Sequence, residues 1–319
     1  MRAVWSFWSK PYFAGWSRWY TDWHHWLGWG LSLHTASRFY PDTCLVTDDI
    51  GANILIDQLR LPFAHVSTAL NKLRNDDADW WSLGKVEAYR LQNEPFVHID
   101  ADVFLWQPLA AELEQADVFA QNPEPIVPGA TLYTPEEIES VIGDGWLPQE
   151  WFWYRQKPKT ESQCCGVFGG NRVDFIKHYA KSALRIVRDP KNRAAMRLLT
   201  EKSRHMLTIE QYVLTACLEY HRKQNHSPYN GIEIRHVFAT LDEALSPHGP
   251  RRAGFTHLAA GAKRNRRVSR DLENRVRKEL PEFYEHCTNL LQAALGSPVI
   301  NVSHIFEEHQ TVFEDKHTG

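Results

Sequence analysis

The sequence predicts an open, mostly parallel α/β sheet flanked by helices. Strand-like and helix-like segments alternate at a spacing of about 20–30 residues, the rhythm of strands joined by crossover helices. One run, Phe96–Leu105, is mainly apolar, as in a strand covered on both faces. Composition agrees. Hydrophobic residues make up 43% and charged residues 24% of the 319, a balance that excludes disorder and collagen-like repeats and suffices for a large core. A formal net charge of −3 leaves no global basic field for nucleic acid.

Taken in order, Ala3–Trp8 is β-branched and aromatic, a first strand ended by Ser9-Lys10-Pro11. Trp26–Tyr40 carries apolar residues at helical spacing until Pro41 stops it. Thr43–Thr47 is a second strand, followed by a helix and a third strand near Ala64–Ser67. Ser82–Leu91 is helical, and Phe96–Leu105 is the next strand. The stretch from Asn122 to Pro158, rich in Pro, Gly and Trp, reads as loop with short elements. Strand signals return at Gly166–Phe168 and Ile232–Val237, helix signals at Val173–Arg188 and Thr208–Arg222. A helical pattern runs from Arg270 to Leu295 with Pro281 as a break. The division expected is a catalytic domain over residues 1–268 and a helical C-terminal extension over residues 269–319.

Seven of the 13 tryptophans precede residue 30. Polar and charged residues such as Lys10, Arg18 and Asp22 interrupt this aromatic start, so it does not read as a signal peptide. No run of about 18 apolar residues predicts a membrane span. The five cysteines are odd in number and lack a C-x-x-C pair. A reduced, cytoplasmic chain is the expectation. Trp16, Trp19, Trp23 and Trp26 recur at helical spacing, which favours core packing over a ligand platform. Trp151-Phe-Trp153-Tyr154 is a candidate wall of an acceptor cleft.

The most informative stretch is Phe96-Val-His-Ile-Asp100-Ala-Asp102-Val. Strand periodicity would set both carboxylates on one side, roughly 6–7 Å apart. At the carboxyl end of a central strand they would face the crevice where open α/β sheets bind ligands. Two uncovered anions repel each other, and Mn2+ or Mg2+ would resolve that repulsion while bridging a diphosphate. The alternative is a solvated turn with incidental acids.

This stretch resembles the D-x-D motif of GT-A-fold glycosyltransferases, whose acids hold a metal against the diphosphate of a nucleotide-sugar. Further segments fall in the order of the family 8 (glycogenin-like) enzymes. Gly84-Lys85 resembles the helix whose lysine reaches the donor. Cys165-Gly-Val-Phe-Gly169-Gly170-Asn171 looks like the small-residue strand lining the sugar pocket. Ile209-Glu210-Gln211 resembles the acidic-Gln pair near the reacting carbon. Phe255-Thr-His257-Leu-Ala-Ala-Gly261-Ala-Lys263 resembles the late H-x-x-G-x-x-K segment. The spacing from His257 to Gly261 is one residue longer than in that pattern, and Glu210 stands where the family has Asp.

The resemblance implies a GT-A-like, Rossmann-type sheet with a C-terminal helical appendage, and a metal-dependent, hexosyltransferase-like enzyme. Asp100, Asp102 and His257 would be metal ligands. Phe7, Trp8, Ser9, Asp48, Lys85, Asp100, Ala101, Gly169, Gly170, Gly261 and Lys263 would bind the nucleotide-sugar, a UDP-sugar foremost, and Glu210 and Gln211 would be catalytic. The acceptor, a small molecule, glycan or peptide, stays open.

Each residue also has a plainer reading. His257 is one of 16 histidines, Lys263 lies within a basic stretch from Arg251 to Lys278, and Asp48 and Asp49 suit a turn. Glu210, two residues after Thr208, suits a helix cap. Two other functions remain. Haloacid-dehalogenase-like phosphohydrolases also place D-x-D-x-[T/V] at a strand end, and Gly143-Asp144 is the nearest segment to their further acidic motif. A nonenzymatic carbohydrate-binding protein would rest on the tryptophans alone.

Overall fold

Alternate residues of the first strand leave for opposite faces, and both faces are covered. In β1 (Arg2–Phe7), Ala3, Trp5 and Phe7 join one buried cluster while Val4 joins the other. This two-sided burial is why the central strands read as apolar runs. The computed structural model describes residues 1–127, 133–158 and 160–296. Around β1 stand β2 (Thr43–Thr47), β3 (His65–Ser67), β4 (Phe96–Ile99), β6 (Val118–Pro125), β7 (Glu161–Gly170) and β8 (Ile234–His236), with β5 (Val103–Leu105) and β9 (Phe255–His257) forming a separate pair.

Among the described residues the main sheet has seven strands in the order β3-β2-β1-β4-β7-β6-β8. Pairings β1/β2, β1/β4, β2/β3 and β6/β8 are parallel, and β7 runs antiparallel to both its neighbours. The sheet is mostly parallel, with helices on both faces, as the alternation of elements predicts. Its β3-β2-β1-β4 half is the order of doubly wound folds, in which ligands gather outside the carboxyl ends of the strands.

Several expected elements take a different form. Phe96–Leu105 is two strands in two sheets. The chain turns at Asp100-Ala101-Asp102, where the Val103 N–H donates to Asp100 O at 2.9 Å; aspartates favour such turns over continued strand. The segment from Asn122 to Pro158 holds the end of β6 and two helices, Pro135–Ile142 and Gln149–Arg155. Pro135 opens the first, a position where proline costs no hydrogen bond. In the second, Trp151 and Tyr154 are the buried face and pack on Tyr212, while Phe152 is exposed. The early tryptophans do not share one helix either. Gly15, at φ +84°, breaks the segment carrying Trp16. A new helix, Asp22–Ser37, starts after Thr21, whose hydroxyl caps the His24 N–H, and only Trp23, Trp26 and Trp29 lie on it.

The C-terminal helices Arg266–Glu279 and Pro281–Gly296 pack on that Asp22–Ser37 helix. His24 meets Glu273 at 2.8 Å, Arg38 meets Glu279 at 2.9 Å, and the Trp23 and Tyr284 rings lie 5.4 Å apart. Residue 268, where a boundary was expected, lies inside the first of these helices. The expected extension beyond residue 296 lies outside the described residues. No described helix is long and apolar enough to cross a membrane. All five cysteines are free and buried.

Two predictions concern the fold alone. A Cβ at Gly169 would sit 2.0 Å from Phe96 O in the backbone of β4. Gly169→Ala should therefore destabilise by about 3 kcal/mol in urea unfolding, and a neutral result would refute this close approach. Burial also pushes His236 down to about 4 from 6.5. Below pH of about 6.5 the unfolded chain takes up a proton that folded His236 refuses, so its contribution is full above that pH. It is lost as pH falls to about 4, by up to about 3 kcal/mol. His236→Gln should unfold with a shallower pH dependence in that window; parallel curves would exclude His236 as the source.

Candidate functional site

A cleft of about 410 Å3 opens at the carboxyl ends of β1 and β4, with Phe7, Trp8, Asp100 and Asp102 in its lining. The two aspartates converge through the turn after β4, not through strand periodicity. His257 arrives because β9 pairs antiparallel with β5, Val103 opposite His257. One ligand atom each from Asp100, Asp102 and His257 lies within 4.8 Å of the others.

The imidazole is oriented from behind. His257 Nδ1 lies 2.7 Å from Gln121 Oε1 and Nε2 lies 3.5 Å from Asp102 Oδ1. An Nδ1–H donated to Gln121 leaves the Nε2 lone pair facing the carboxylates, the tautomer a metal needs. Gly166 makes room for this. A Cβ there would lie 2.6 Å from the His257 ring and 2.4 Å from Gln121 Oε1, and the Gly166 carbonyl accepts the Asp100 N–H at 3.0 Å.

The acids are not uncovered. Lys85, on the helix Leu83–Leu91, places Nζ 2.8 Å from Asp100 and 3.1 Å from Glu210, and Lys263 Nζ lies 2.5 Å from Asp102. Burial pushes Asp100 up to about 6 against the pull of Lys85. Burial opposes the charge of Asp102 too, but Lys263 and His257 outweigh it and hold that carboxyl well below the usual range. Lys85 is likewise desolvated, and Asp100 and Glu210 keep it charged, above the ordinary lysine range.

Glu210 does not cap a helix start. It lies in a π-helical turn, Thr208–Tyr212, between the helices Lys202–Leu207 and Val213–Lys223, and Leu207 before it is already helical. Such wide turns re-aim side chains and recur at functional sites. Oε1 of Glu210 accepts from Lys85 and from the Tyr89 hydroxyl at 3.3 Å, whereas Oε2 is buried without a hydrogen-bond partner among the described residues. Gln211 Oε1 lies 2.5 Å from the Tyr133 hydroxyl. Both residues line the cleft.

Of the remaining expected positions, Ala101 and Lys263 line the cleft, and Ser9, Asp48, Gly169, Gly170 and Gly261 do not. Asp48 accepts from the Ser9 N–H (3.0 Å), the Ser9 hydroxyl (2.8 Å) and the Gly51 N–H (2.7 Å), so it caps the helix Asp49–Ala52 and pins the turn after β1. Gly169 and Gly170 pair with Val97 and Phe96 at the opposite end of β4, and it is Cys164 and Gly166 of β7 that reach the cleft. Gly261 sits in a short 3-10 turn, Ala260–Arg264, with open space where its Cβ would be. Asp144 is exposed on the turn after Pro135–Ile142, away from the aspartate pair.

Residues outside the expected site set complete the walls. Trp16 and Trp19 line the cleft, and Lys263 Nζ lies 5.8 Å from the centre of the Trp19 ring. Gln121 and Gly166 owe their importance to His257, which only the β5/β9 pairing brings near. Beyond Lys263, the arginines Arg264, Arg266, Arg267 and Arg270 are exposed, a solvated face.

Against known proteins, no curated sequence matches. Among solved structures, the galactosyltransferase LgtC in complex with donor and acceptor sugar analogues aligns at 11% identity and a TM-score of 0.37, covering 88% of this chain and 100% of that one. A family model matches residues 1–290, and the chain belongs to that family, a family of unknown function designated DUF6734.

Proposed function

We propose that the protein is a metal-dependent glycosyltransferase of the GT-A kind, moving a sugar from a nucleotide-diphosphate sugar, UDP-sugar foremost, to an acceptor. The observation that carries the reading is the convergence of Asp100, Asp102 and His257 in a cleft at the carboxyl ends of parallel strands, beside the buried Lys85, the half-buried Lys263 and an aromatic wall. Two carboxylates and an oriented imidazole are a donor set that fits Mn2+ or Mg2+. Bound there, the metal supplies Lewis-acid neutralisation of charge on the leaving diphosphate.

The chain's own residues do the rest. Phe7 and Trp8 offer apolar faces on which a base can stack. Lys85 and Lys263 hold fixed positive charge at the aspartates, where a diphosphate would sit. Gln121 keeps His257 in its tautomer. The unpartnered Oε2 of Glu210 is an acceptor available to a sugar hydroxyl, with Gln211 beside it as a positioning group. Ser9 and Asp48 serve the donor pocket by holding the turn that follows β1.

Calorimetric titration of UDP with Mn2+, and again with EDTA, tests the reading. Binding should need the metal, and Asp102→Ala should weaken it at least about 100-fold in a folded protein; UDP binding indifferent to both would overturn the proposal. A second test isolates the imidazole. Gly166→Ala should push the His257 ring off its seat and weaken Mn2+ binding about 10–100-fold, because the added methyl meets side chains that yield, unlike the backbone behind Gly169. Unchanged Mn2+ affinity in Gly166→Ala would remove His257 from the ligand set.

A further inference from the structure

Three helices outside the cleft bring a second set of donor atoms to one point. Glu150 stands in the first turn of Gln149–Arg155, His178 in Val173–Arg188, and His221 near the end of Val213–Lys223. His178 Nε2 lies 2.9 Å from Glu150 Oε1, His221 Nε2 lies 3.1 Å from the same oxygen, and the two Nε2 atoms are 2.9 Å apart. Glu150 and His221 are buried, and the His178 side chain keeps 32% of its exposure.

With Glu150 ionised, no protonation pattern of the two rings makes all three contacts favourable. Each Nε2 offers either one proton or one lone pair. If both carry protons, both can donate to Glu150, but then two N–H groups face each other. If one carries a proton, the other ring turns a lone pair toward the carboxylate. If neither does, all three contacts are repulsive. A cation at the centre, taking one lone pair from each atom, relieves every edge. The triangle is also close to the required size: ligands about 2.0–2.1 Å from a tetrahedral ion stand about 3.3 Å from one another.

The surroundings orient the rings for that role. His221 Nδ1 lies 2.8 Å from Ser227 Oγ, so an Nδ1–H donated there presents Nε2 as a lone pair. Tyr229 packs against both imidazoles, with centroids 5.5 Å from His178 and 5.2 Å from His221. No lysine or arginine is paired with Glu150 among the described residues; its ionic partners are the two imidazoles.

We propose that Glu150, His178 and His221 form a zinc site, separate from the cleft, in which two imidazoles and one carboxylate bind Zn2+ and water enters at the exposed side of His178. Imidazole donors favour zinc over Mn2+ or Mg2+, and three protein ligands plus water complete its tetrahedron. The ion would fasten three helices at one point, and the first of them leads directly into β7, whose Cys164 and Gly166 line the cleft.

Zinc titration of the full chain against a chromophoric chelator tests this, using wild type, Asp102→Ala, His178→Ala and Glu150→Gln. Wild type and Asp102→Ala should each hold one tight equivalent, weakened at least about 100-fold in the other two variants. Zinc at about a hundredfold excess over Kd should raise the Tm of wild type by about 5 °C and leave that of His178→Ala unmoved. Co2+ in place of zinc should give the intense visible absorption of a tetrahedral site in wild type and Asp102→Ala. His178 is half-exposed, so its alanine variant should fold; Glu150→Gln keeps the side-chain shape if it does not. No tight zinc in wild type, or tight zinc that survives His178→Ala and Glu150→Gln but is lost in Asp102→Ala, would overturn the proposal.

Discussion

One buried ammonium holds the cleft together. Lys85 Nζ lies between Asp100 and Glu210 and is the shared counter-ion of two acids that arrive from different parts of the chain. Removing one member of such a buried set costs about 3–5 kcal/mol, because the charges left behind are unpaired. That cost ties the turn after β4 to the Leu83–Leu91 helix and to the π-helical turn. Tyr89, one helical turn after Lys85, reaches the same Glu210 oxygen and so fixes the approach of the two helices. The pairing also explains how Asp100 and Asp102 coexist at a strand end: each has its own lysine, and neither has to be exposed to stay ionised.

Pairing of short strands does the same for the imidazole. β5 and β9 are three residues each, too short to add much stability, yet their register sets His257 against Asp102. The Leu258 N–H then donates to Asp102 O at 2.9 Å and closes the arrangement. A ligand set drawn from a turn and a distant strand is rigid only if something behind it is rigid. Gln121, inside β6 of the main sheet, supplies that backing, and Gly166 on the adjacent β7 supplies the space.

What the sequence made legible follows from range of interaction. The strands β1 and β2 and the helix Val173–Arg188 were readable because their periodicity is local, and the Asp100/Asp102 pair because it ends such a run. Glu210 misled as a helix cap because Thr208 precedes it; only the continuous helix on both sides shows that no helix starts there. Gly169 and Gly170 looked like pocket-lining residues, yet they are small because backbones of neighbouring strands lie 2.0 and 2.1 Å from where their Cβ atoms would be. Gln121 carried no signal, Gly166 showed only as part of a small-residue strand, and Trp16 and Trp19 read as core packing. The roles of Gln121, Gly166 and Trp19 depend on tertiary contacts with His257 and Lys263, which no local pattern encodes.

The two convergent donor sets differ in the one respect that decides what each can do. In the cleft, lysines already compensate the carboxylates. On the proposed reading, Asp100 and Asp102 would hold the metal while Lys85 and Lys263 would turn to the phosphate oxygens, an exchange that would conserve charge and couple metal binding to nucleotide binding. Around Glu150 no lysine or arginine is paired with the carboxylate among the described residues. An ion held there, as proposed, would gain three lone pairs and give up only water, which would suit permanent occupancy. If both proposals hold, the fold would place a reversible metal site at the carboxyl edge of its sheet and a standing one among helices outside the cleft.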